Sequence, residues 1–181
     1  MVFEIFAGIV VVSIVWVILI YNRFVKLRNV VKESWSGIDV QLKRRANLIP
    51  NLVETVKGYA KHELESFREV TELRTGTDLS VKERSRQESI ISKAIGGIMA
   101  IAEDYPELKA SQNFLELQQN LNEVEEQIQH SRRYYNGSVR DWNVLVESFP
   151  SMIIASFCNF TVADFFEIQN PGERNVPEVK F

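Results

Sequence analysis

Few side chains in this sequence have the types and spacing that chemistry requires. Cys158 is its one cysteine and would be the nucleophile of a thiol enzyme, but in the apolar run around it a small buried side chain is the better interpretation. His62 and His130 are too few for a metal cage of imidazole and thiolate ligands. The sequence contains no H-E-x-x-H, G-x-S-x-G, phosphate-loop or G-x-G-x-x-G motif. We therefore predict no catalytic residues, no metal and no cofactor, and a protein that is not an enzyme.

Two basic clusters remain as candidates for binding an acidic protein partner. The first contains Lys43 and Arg44, and the second contains Arg132 and Arg133. The formal net charge of the chain is −3, so these clusters do not belong to a strongly basic face. We predict that the protein does not bind nucleic acid.

Arg45 differs from its basic neighbours because it lies on an apolar series, seven residues after Ile38 and seven before Leu52. A guanidinium at such a position needs a charged or polar partner. We interpret Arg45 as one half of a structural salt bridge, with Asp39 or with a glutamate of another helix. A solvated helix face is expected for the acidic run of Glu123, Glu125 and Glu126.

An uncharged apolar run near the N-terminus has the length of a membrane span. It covers residues 5–21, and counting from Val2 gives about 20 residues, as many as a helix needs to cross a bilayer. No lysine or arginine precedes the run and no small-residue cleavage pattern ends it, which disfavours a cleaved signal. Because basic flanks stay in the cytoplasm, we predict that residues 1–22 form a single-pass anchor in the cell membrane, with a short N-terminus outside and the remaining chain cytoplasmic. The basic residues that follow the run are Arg23, Lys26, Arg28 and Lys32.

The next segment repeats apolar residues at intervals of seven, as in Phe24, Val31 and Ile38, which is typical of a long packed helix. Pro50 lies inside the stripe and cannot donate the backbone hydrogen bond of a continuing helix. Asn47 is a good N-cap, so we favour a helix that ends and restarts there. The unbroken heptad phase favours a continuous, kinked helix instead.

Two further long helices are predicted. Ser80 and Glu83 have the spacing of a capping box that opens the first of them, and Gly96 and Gly97 in its middle indicate the close approach of a neighbouring helix. The last helix, residues 111–149, has large apolar residues at strict intervals of seven. They are Phe114, Leu121, Ile128, Tyr135, Trp142 and Phe149.

The composition changes after Pro150, since residues 152–166 are apolar and aromatic without clean periodicity. Asn159, Thr161 and Asp164 leave too short an apolar stretch for a second span. We interpret the tail as a lid packed over the bundle end. The alternative is a surface for lipid or another membrane protein, formed by Phe157, Phe160, Phe165 and Phe166.

Together these patterns predict an all-α fold in three parts. The parts are the anchor at residues 1–22, a long antiparallel bundle of four helices at residues 23–150, and the tail at residues 151–181. Turns are predicted at residues 75–78 and 170–172. Structural roles are predicted for Asp39, Arg45, Asn47, Pro50 and Tyr135.

Several sequence blocks resemble a known family. They include Leu27-Arg28-Asn29, Trp35-Ser36, Ile38-Asp39-Val40-Gln41-Leu42-Lys43-Arg44-Arg45, Leu48-Ile49-Pro50-Asn51-Leu52-Val53, Tyr105-Pro106, Tyr135-Asn136-Gly137, Phe149-Pro150 and Pro177-Glu178-Val179-Lys180-Phe181. In order and content they resemble the LemA family over essentially the whole chain, with Asn47 where the family commonly has aspartate. The resemblance implies an antiparallel helical bundle tethered by an N-terminal transmembrane helix in a bacterium or archaeon. It implies no catalytic residue, cofactor or substrate.

Three functional hypotheses follow. The first is a membrane-anchored, noncatalytic scaffold or adaptor that binds another membrane or cytoplasmic protein. The alternative is a bundle that binds a small molecule or a metal, with or without an enzymatic activity, in a cleft between helices where Asp39, Arg45, Tyr59 and Tyr135 converge. The third is attraction of the basic stretch after the anchor to anionic lipid.

Overall fold

The computed structural model describes residues 1–60 and 79–167, and α-helix is the one type of regular secondary structure in them. The predicted all-α fold is therefore confirmed. The number of four long helices stays a prediction, because residues 61–78 lie outside the described part, as do the turns predicted at residues 75–78 and 170–172. The described helices are α1 (Val2–Lys57), α2 (Val81–Glu103), α3 (Pro106–Lys109), α4 (Gln112–Glu147) and α5 (Ser151–Phe157).

Helix α1 is continuous from Val2 to Lys57, with Pro50 inside it. The predicted restart at Asn47 is wrong, since that residue lies exposed in the helix interior. An interior proline costs about 3 kcal/mol of helix stability, yet the apolar stripe stays buried on both sides of it, at Ile49 and Leu52. Burial of that stripe therefore outweighs the local effect of the proline.

Helix α2 begins with the predicted capping box. The Glu83 amide donates to Ser80 Oγ at 3.3 Å, and the Ser80 amide donates to Glu83 Oε2 at 2.9 Å. The hydrogen bond from the Ser80 side chain, with a smaller contribution from its backbone, lowers the pKa of the Glu83 carboxyl. The close helix approach predicted in the middle of α2 is absent at Gly96, where a Cβ atom would have nothing within 4 Å among the described residues.

The chain divides into two compact units, and α1 and α4 contribute to both. Unit 1 consists of Met1–Ile38 and Ser131–Phe165. Its core contains Phe24 of α1, Trp142 and Leu145 of α4, and Ile154 and Ala155 of α5. Here α1 and α4 are antiparallel, because the ring of Phe24 contacts that of Trp142 while Trp35, further along α1, contacts the earlier residue Tyr135.

The last predicted member of the α4 series, Phe149, is not buried. Helix α4 ends at Glu147, and Phe149 is 79% exposed. The heptad series therefore stops at Trp142.

Unit 2 consists of Asp39–His130 and Phe166–Phe181. Helices α1 and α2 run in the same direction in it, because Asp39 bonds to Arg84 whereas Ile49, further along α1, packs on Ile91 and Ala94. The first and third helices of an up-and-down bundle have this relation. Beyond this contact lies a larger apolar core, made of Leu52, Val56, Ala60, Ile98, Ala102, Leu108, Phe114 and Leu121.

The N-terminal part of α1 is apolar and exposed, whereas the rest of the helix buries an apolar stripe. Among the described residues, α1 is the one helix with a segment long and apolar enough to cross a membrane, and no part of that segment is buried within the protein. In unit 1 the packed part of α1 begins near Ile20 and Phe24.

Candidate functional site

Arg45 is the polar centre of unit 2. The apolar stripe of α1 carries its side chain into the core, where only 1% of the residue is exposed. One terminal nitrogen, Nη1, donates to Glu125 Oε2 at 2.7 Å and to Ser92 Oγ at 3.0 Å, and Nη2 forms a buried ion pair with Glu88 Oε2. The guanidinium therefore joins α1 to α2 and α4 through glutamates of other helices, and not through Asp39.

Further charges extend this contact beyond Glu88. Arg84 Nε lies 3.5 Å from Glu88 Oε1, and Arg84 Nη2 lies 3.2 Å from Asp39 Oδ1. The other Asp39 oxygen lies 2.6 Å from Lys43 Nζ. We call the resulting series of alternating charges the ion network; it consists of Lys43, Asp39, Arg84, Glu88, Arg45 and Glu125.

The ion network contains three positive and three negative side chains, some of which are buried and some exposed. Arg45, Arg84 and Glu88 are buried, whereas the Glu125 side chain is 41% exposed. Buried charges are tolerated when they are paired and hydrogen-bonded, as these are. Two buried atoms, Arg45 Nε and Gln41 Oε1, have no hydrogen-bond partner among the described residues. The carboxylates of the network are thus engaged by arginines and hold helices together.

The residues predicted to converge in a cleft have different surroundings in the structure. No group of three histidine, cysteine, aspartate or glutamate side chains in the described ranges has the geometry of a metal site. Asp39 and Arg45, two members of the predicted cleft, are bonded to other side chains of unit 2, and Tyr59 is exposed.

Tyr135, the fourth member of the predicted cleft, has a structural environment in unit 1. Its hydroxyl donates to the Asp164 carbonyl oxygen at 3.0 Å. Burial of the phenol, with a smaller contribution from the negative charge of Asp164, raises the pKa of Tyr135 to about 12. The phenol is therefore protonated at neutral pH and acts as a hydrogen-bond donor.

Residues 158–164, which follow α5, lie along α4 in unit 1. Asn143 holds Ala163 by two hydrogen bonds, accepting from its amide at 2.8 Å and donating to its carbonyl oxygen at 3.0 Å. The Trp142 indole donates to the Thr161 carbonyl oxygen at 2.8 Å. These side chains satisfy backbone groups that have no helical partner, so an irregular segment can pack against the core.

The tail phenylalanines predicted to contact a partner have different surroundings. Phe160 stacks on Phe24 with ring centroids 4.8 Å apart, and Phe166 is fully buried in unit 2. Phe166 is therefore inaccessible to a partner in this structure and Phe160 is only partly accessible, because the protein itself covers them. Phe157 is 89% exposed and Phe165 is also exposed.

The basic candidates lie near the surface. Lys43 is exposed and forms its ion pair with Asp39 within one turn of α1. Arg44 is exposed and has no ion-pair partner among the described residues. In unit 1, Arg132 is half-buried and Arg133 is exposed. Solvent can therefore reach all four side chains.

A family model supplies the identification that this geometry lacks. The model described as LemA family matches residues 34–181, more than four fifths of the chain. The chain belongs to the LemA family. The matched range contains the whole ion network of this LemA-family protein and begins after the apolar run of α1.

Several relatives of this LemA-family protein have similar sequences. It is 24% identical over 192 residues to "Magnetosome protein MamQ 2" of Paramagnetospirillum magneticum, covering 91% of this chain and 71% of that protein. It is 23% identical to "Magnetosome protein MamQ" of Magnetospirillum gryphiswaldense, covering 84% and 66%. It is 25% identical to "Protein LemA" of Metamycoplasma hominis, covering 88% and 70%. None of these names denotes a catalytic activity.

Sequence reasoning missed three members of the ion network in this LemA-family protein. Glu125 was expected on a solvated face, but it binds Arg45. Arg84 and Glu88 were not singled out, although their spacing of four residues is that of an ion pair on one helix face. Ser85 and Ser89, which adjoin these two residues on α2, are also buried.

Proposed function

We propose that this LemA-family protein is a membrane-anchored, noncatalytic scaffold or adaptor. One observation carries the proposal: the buried charges of unit 2 are bonded to one another, with Arg45 between Glu88 and Glu125. Such a network stabilises a particular helix arrangement and leaves exposed side chains for contacts with other molecules. The small-molecule alternative would need the same charges for a ligand.

The anchor in this proposal is the N-terminal part of α1, residues 1–22. Its support is an apolar segment with no covering contact inside the protein, followed by four exposed basic residues. They are Arg23, Lys26, Arg28 and Lys32. By the positive-inside rule the N-terminus lies outside the cell membrane and the rest of the chain lies in the cytoplasm.

Cysteine labelling tests this orientation. In a Cys158→Ala background, Val2→Cys and Tyr134→Cys are treated with a membrane-impermeant maleimide on intact cells and again after lysis. We expect position 2 to react on intact cells and position 134 only after lysis, because Tyr134 is exposed but belongs to the cytoplasmic part. Labelling at position 134 on intact cells would contradict the orientation.

The partner surface in this proposal includes Arg44. Its neighbour Lys43 is engaged by Asp39, whereas Arg44 has no ion-pair partner among the described residues and is exposed on α1. An acidic protein surface is the complementary partner, since exposed charges steer association and set its specificity.

Site-specific photo-crosslinking at position 40 in native membranes tests for this partner. Val40 is exposed on α1, one turn from Arg44, so a crosslinking residue there leaves the basic side chain in place. We expect one reproducible protein adduct that Arg44→Glu removes. Lys57→Glu is the matched control, because it makes the same charge change at another exposed position of α1 and should keep the adduct. An adduct that withstands Arg44→Glu would refute the role of Arg44, and absence of any adduct would refute this surface.

A second candidate function, attraction to anionic lipid, is supported by the exposure of the four basic residues that follow the anchor. Each contributes about 1 kcal/mol near an anionic surface, and salt screens the attraction. We expect the residue pair Lys26→Gln and Arg28→Gln to weaken the salt-dependent part of lipid preference in mixed vesicles. A preference for anionic lipid that is independent of salt would contradict this function.

A further inference from the structure

Helix α5 packs against the inner end of the apolar run of α1. Its buried residues, Ser151, Ile154 and Ala155, form one face of the helix. Ile154 and Ala155 belong to the cluster that contains Phe24, and Ile20 packs against the same cluster. The position of α5 relative to α1 is thus fixed by contacts within unit 1.

The opposite face of α5 is apolar and uncovered by the described chain. Met152 and Ile153 are exposed, Phe157 is 89% exposed, and Phe149 just before the helix is exposed as well. No charged residue occurs anywhere in residues 148–163. A surface that faces water would carry charges among its apolar residues, so this composition indicates a surface that faces an apolar medium.

The depth of α5 follows from its contacts with α1. Ile20 lies within the apolar run, and Phe24 lies about 5 Å beyond its last residue, Tyr21, at the helical rise of about 1.5 Å per residue. A helix packed on these two residues lies at the boundary between acyl chains and headgroups. The ring of Tyr21 is 6.2 Å from that of Phe160, which places two aromatic rings at the level where aromatic residues concentrate in membrane proteins.

We propose that Phe149 and the exposed face of α5 insert into the headgroup and acyl-chain boundary of the bilayer that α1 spans. The inference rests on the proposed anchor. Lipid is the occupant because α5 packs beside the inner end of the apolar run of α1, and in the proposed anchor an uncharged, uncovered face at that level meets the bilayer. Exposed basic residues at this level, Arg23 and Lys26, can bind the phosphates of the same leaflet.

Insertion of α5 into lipid would restrict how unit 1 rotates about the axis of α1. A lone transmembrane helix can tilt and rotate, and its orientation is set by neighbouring helices and interfacial anchors. With α5 held on α1 by Ile154 and Ala155, insertion of Phe157 fixes the rotation of unit 1 about the axis of α1.

Depth-dependent fluorescence quenching of the full chain tests the proposal. In a Cys158→Ala background, Phe157→Cys carries an environment-sensitive fluorophore, and the protein is reconstituted into phosphatidylcholine and phosphatidylglycerol vesicles. Quenching is measured with lipids that carry a nitroxide near the headgroup, with lipids that carry it deep in the acyl chain, and with aqueous iodide. Met152→Cys on the same face provides a second label position, and circular dichroism checks that each variant keeps its helical content.

Two control positions calibrate the measurement. Ile14→Cys lies in the apolar run and reports the anchor itself. Tyr134→Cys is the matched aqueous control, since Tyr134 is an exposed aromatic residue of unit 1 next to Tyr135. Tyr135 contacts Trp35, which lies about 16 Å further along α1 than Phe24.

The proposal predicts that label emission at position 157 shifts to the blue, is quenched by the nitroxide lipid and is protected from iodide, whereas position 134 shows the reverse. If position 157 behaves like position 134 while position 14 is quenched by lipid, the anchor stands and the insertion of α5 is refuted. Protection of position 157 from both quenchers also refutes it, because a second copy or another protein then covers this face. If the lipid with a nitroxide in its acyl chain does not quench position 14, the anchor is refuted.

Discussion

Replacing Arg45 by methionine gives the sharpest test of the ion network. The variant keeps the length and apolar stem of the side chain but removes the positive charge between Glu88 and Glu125. Glu125 is 41% exposed and can return to water, whereas the Glu88 side chain is 4% exposed and would keep, among the described residues, Arg84 Nε at 3.5 Å. Breaking a buried pair by removing one partner costs about 3–5 kcal/mol of unfolding free energy, and we expect a loss in this range from the uncompensated Glu88.

The assay is reversible denaturant unfolding of the full chain in detergent micelles, followed by circular dichroism. Lys43→Met is the control, because its pair with Asp39 is exposed and within one helix turn, so a loss of about 0.5 kcal/mol or less is expected. Adding Glu88→Gln to Arg45→Met removes the stranded charge and should recover part of the loss, giving a coupling energy of about 2 kcal/mol. Salt should change the loss little, since the pair is buried.

Two results would refute this reasoning. If Arg45→Met destabilises the protein no more than Lys43→Met, the guanidinium is not a desolvated partner of Glu88. If the losses of Arg45→Met and Glu88→Gln simply add, the two charges do not interact.

Three further predictions concern single side chains. Burial raises the folded-state pKa of Tyr135 from 10 to about 12, so the protonated phenol favours the folded state fully below pH 10 and this stability is lost as the pH rises toward 12. After discounting for solvent screening, we expect denaturant unfolding across this range to show a loss of about 1–2 kcal/mol, and Tyr135→Phe should reduce it. Gly96→Ala should raise the unfolding free energy by about 0.5–1 kcal/mol in the same assay, because alanine favours a helix more than glycine does and its Cβ would meet no described atom within 4 Å. A lower unfolding free energy would instead indicate a neighbouring group at this position. Asn159 has a φ of 56°, in the left-handed region that glycine tolerates and a β-branched residue disfavours. Thermal melts should therefore show that Asn159→Val destabilises the protein by about 1–2 kcal/mol and that Asn159→Gly is near neutral. Equal effects of the two substitutions would exclude backbone strain as the cause.

The apolar pattern predicts most of the core because burial and helical periodicity are local properties of the sequence. Phe24, Ile38 and Leu42 are buried as their spacing requires, and so are Ile128 and Trp142 in the last helix. Capping of α2 is also local, since Ser80 and Glu83 are three residues apart.

Features that depend on distant parts of the chain were not predictable in the same way. Pro50 stays within α1 because burial of residues on both sides, a tertiary effect, exceeds the local cost of a proline. Glu125 looks solvated in its own helix and gains a buried partner only when α4 meets α1. The bonds from Asn143 to Ala163 likewise join residues whose proximity no local rule supplies.

The ion network selects one helix register among those that the heptad pattern alone would allow. An apolar stripe that repeats every seven residues packs almost equally well after a shift of one heptad, so the stripe alone does not select one register. Arg45 occupies the stripe between Ile38 and Leu52, and a one-heptad shift of α1 would separate it from Glu88 and Glu125. Each stranded buried charge costs several kcal/mol, whereas apolar residues at the same positions would stabilise several registers alike. We infer that the network selects the pairing of α1, α2 and α4 in unit 2, an arrangement that the proposed scaffold function would require.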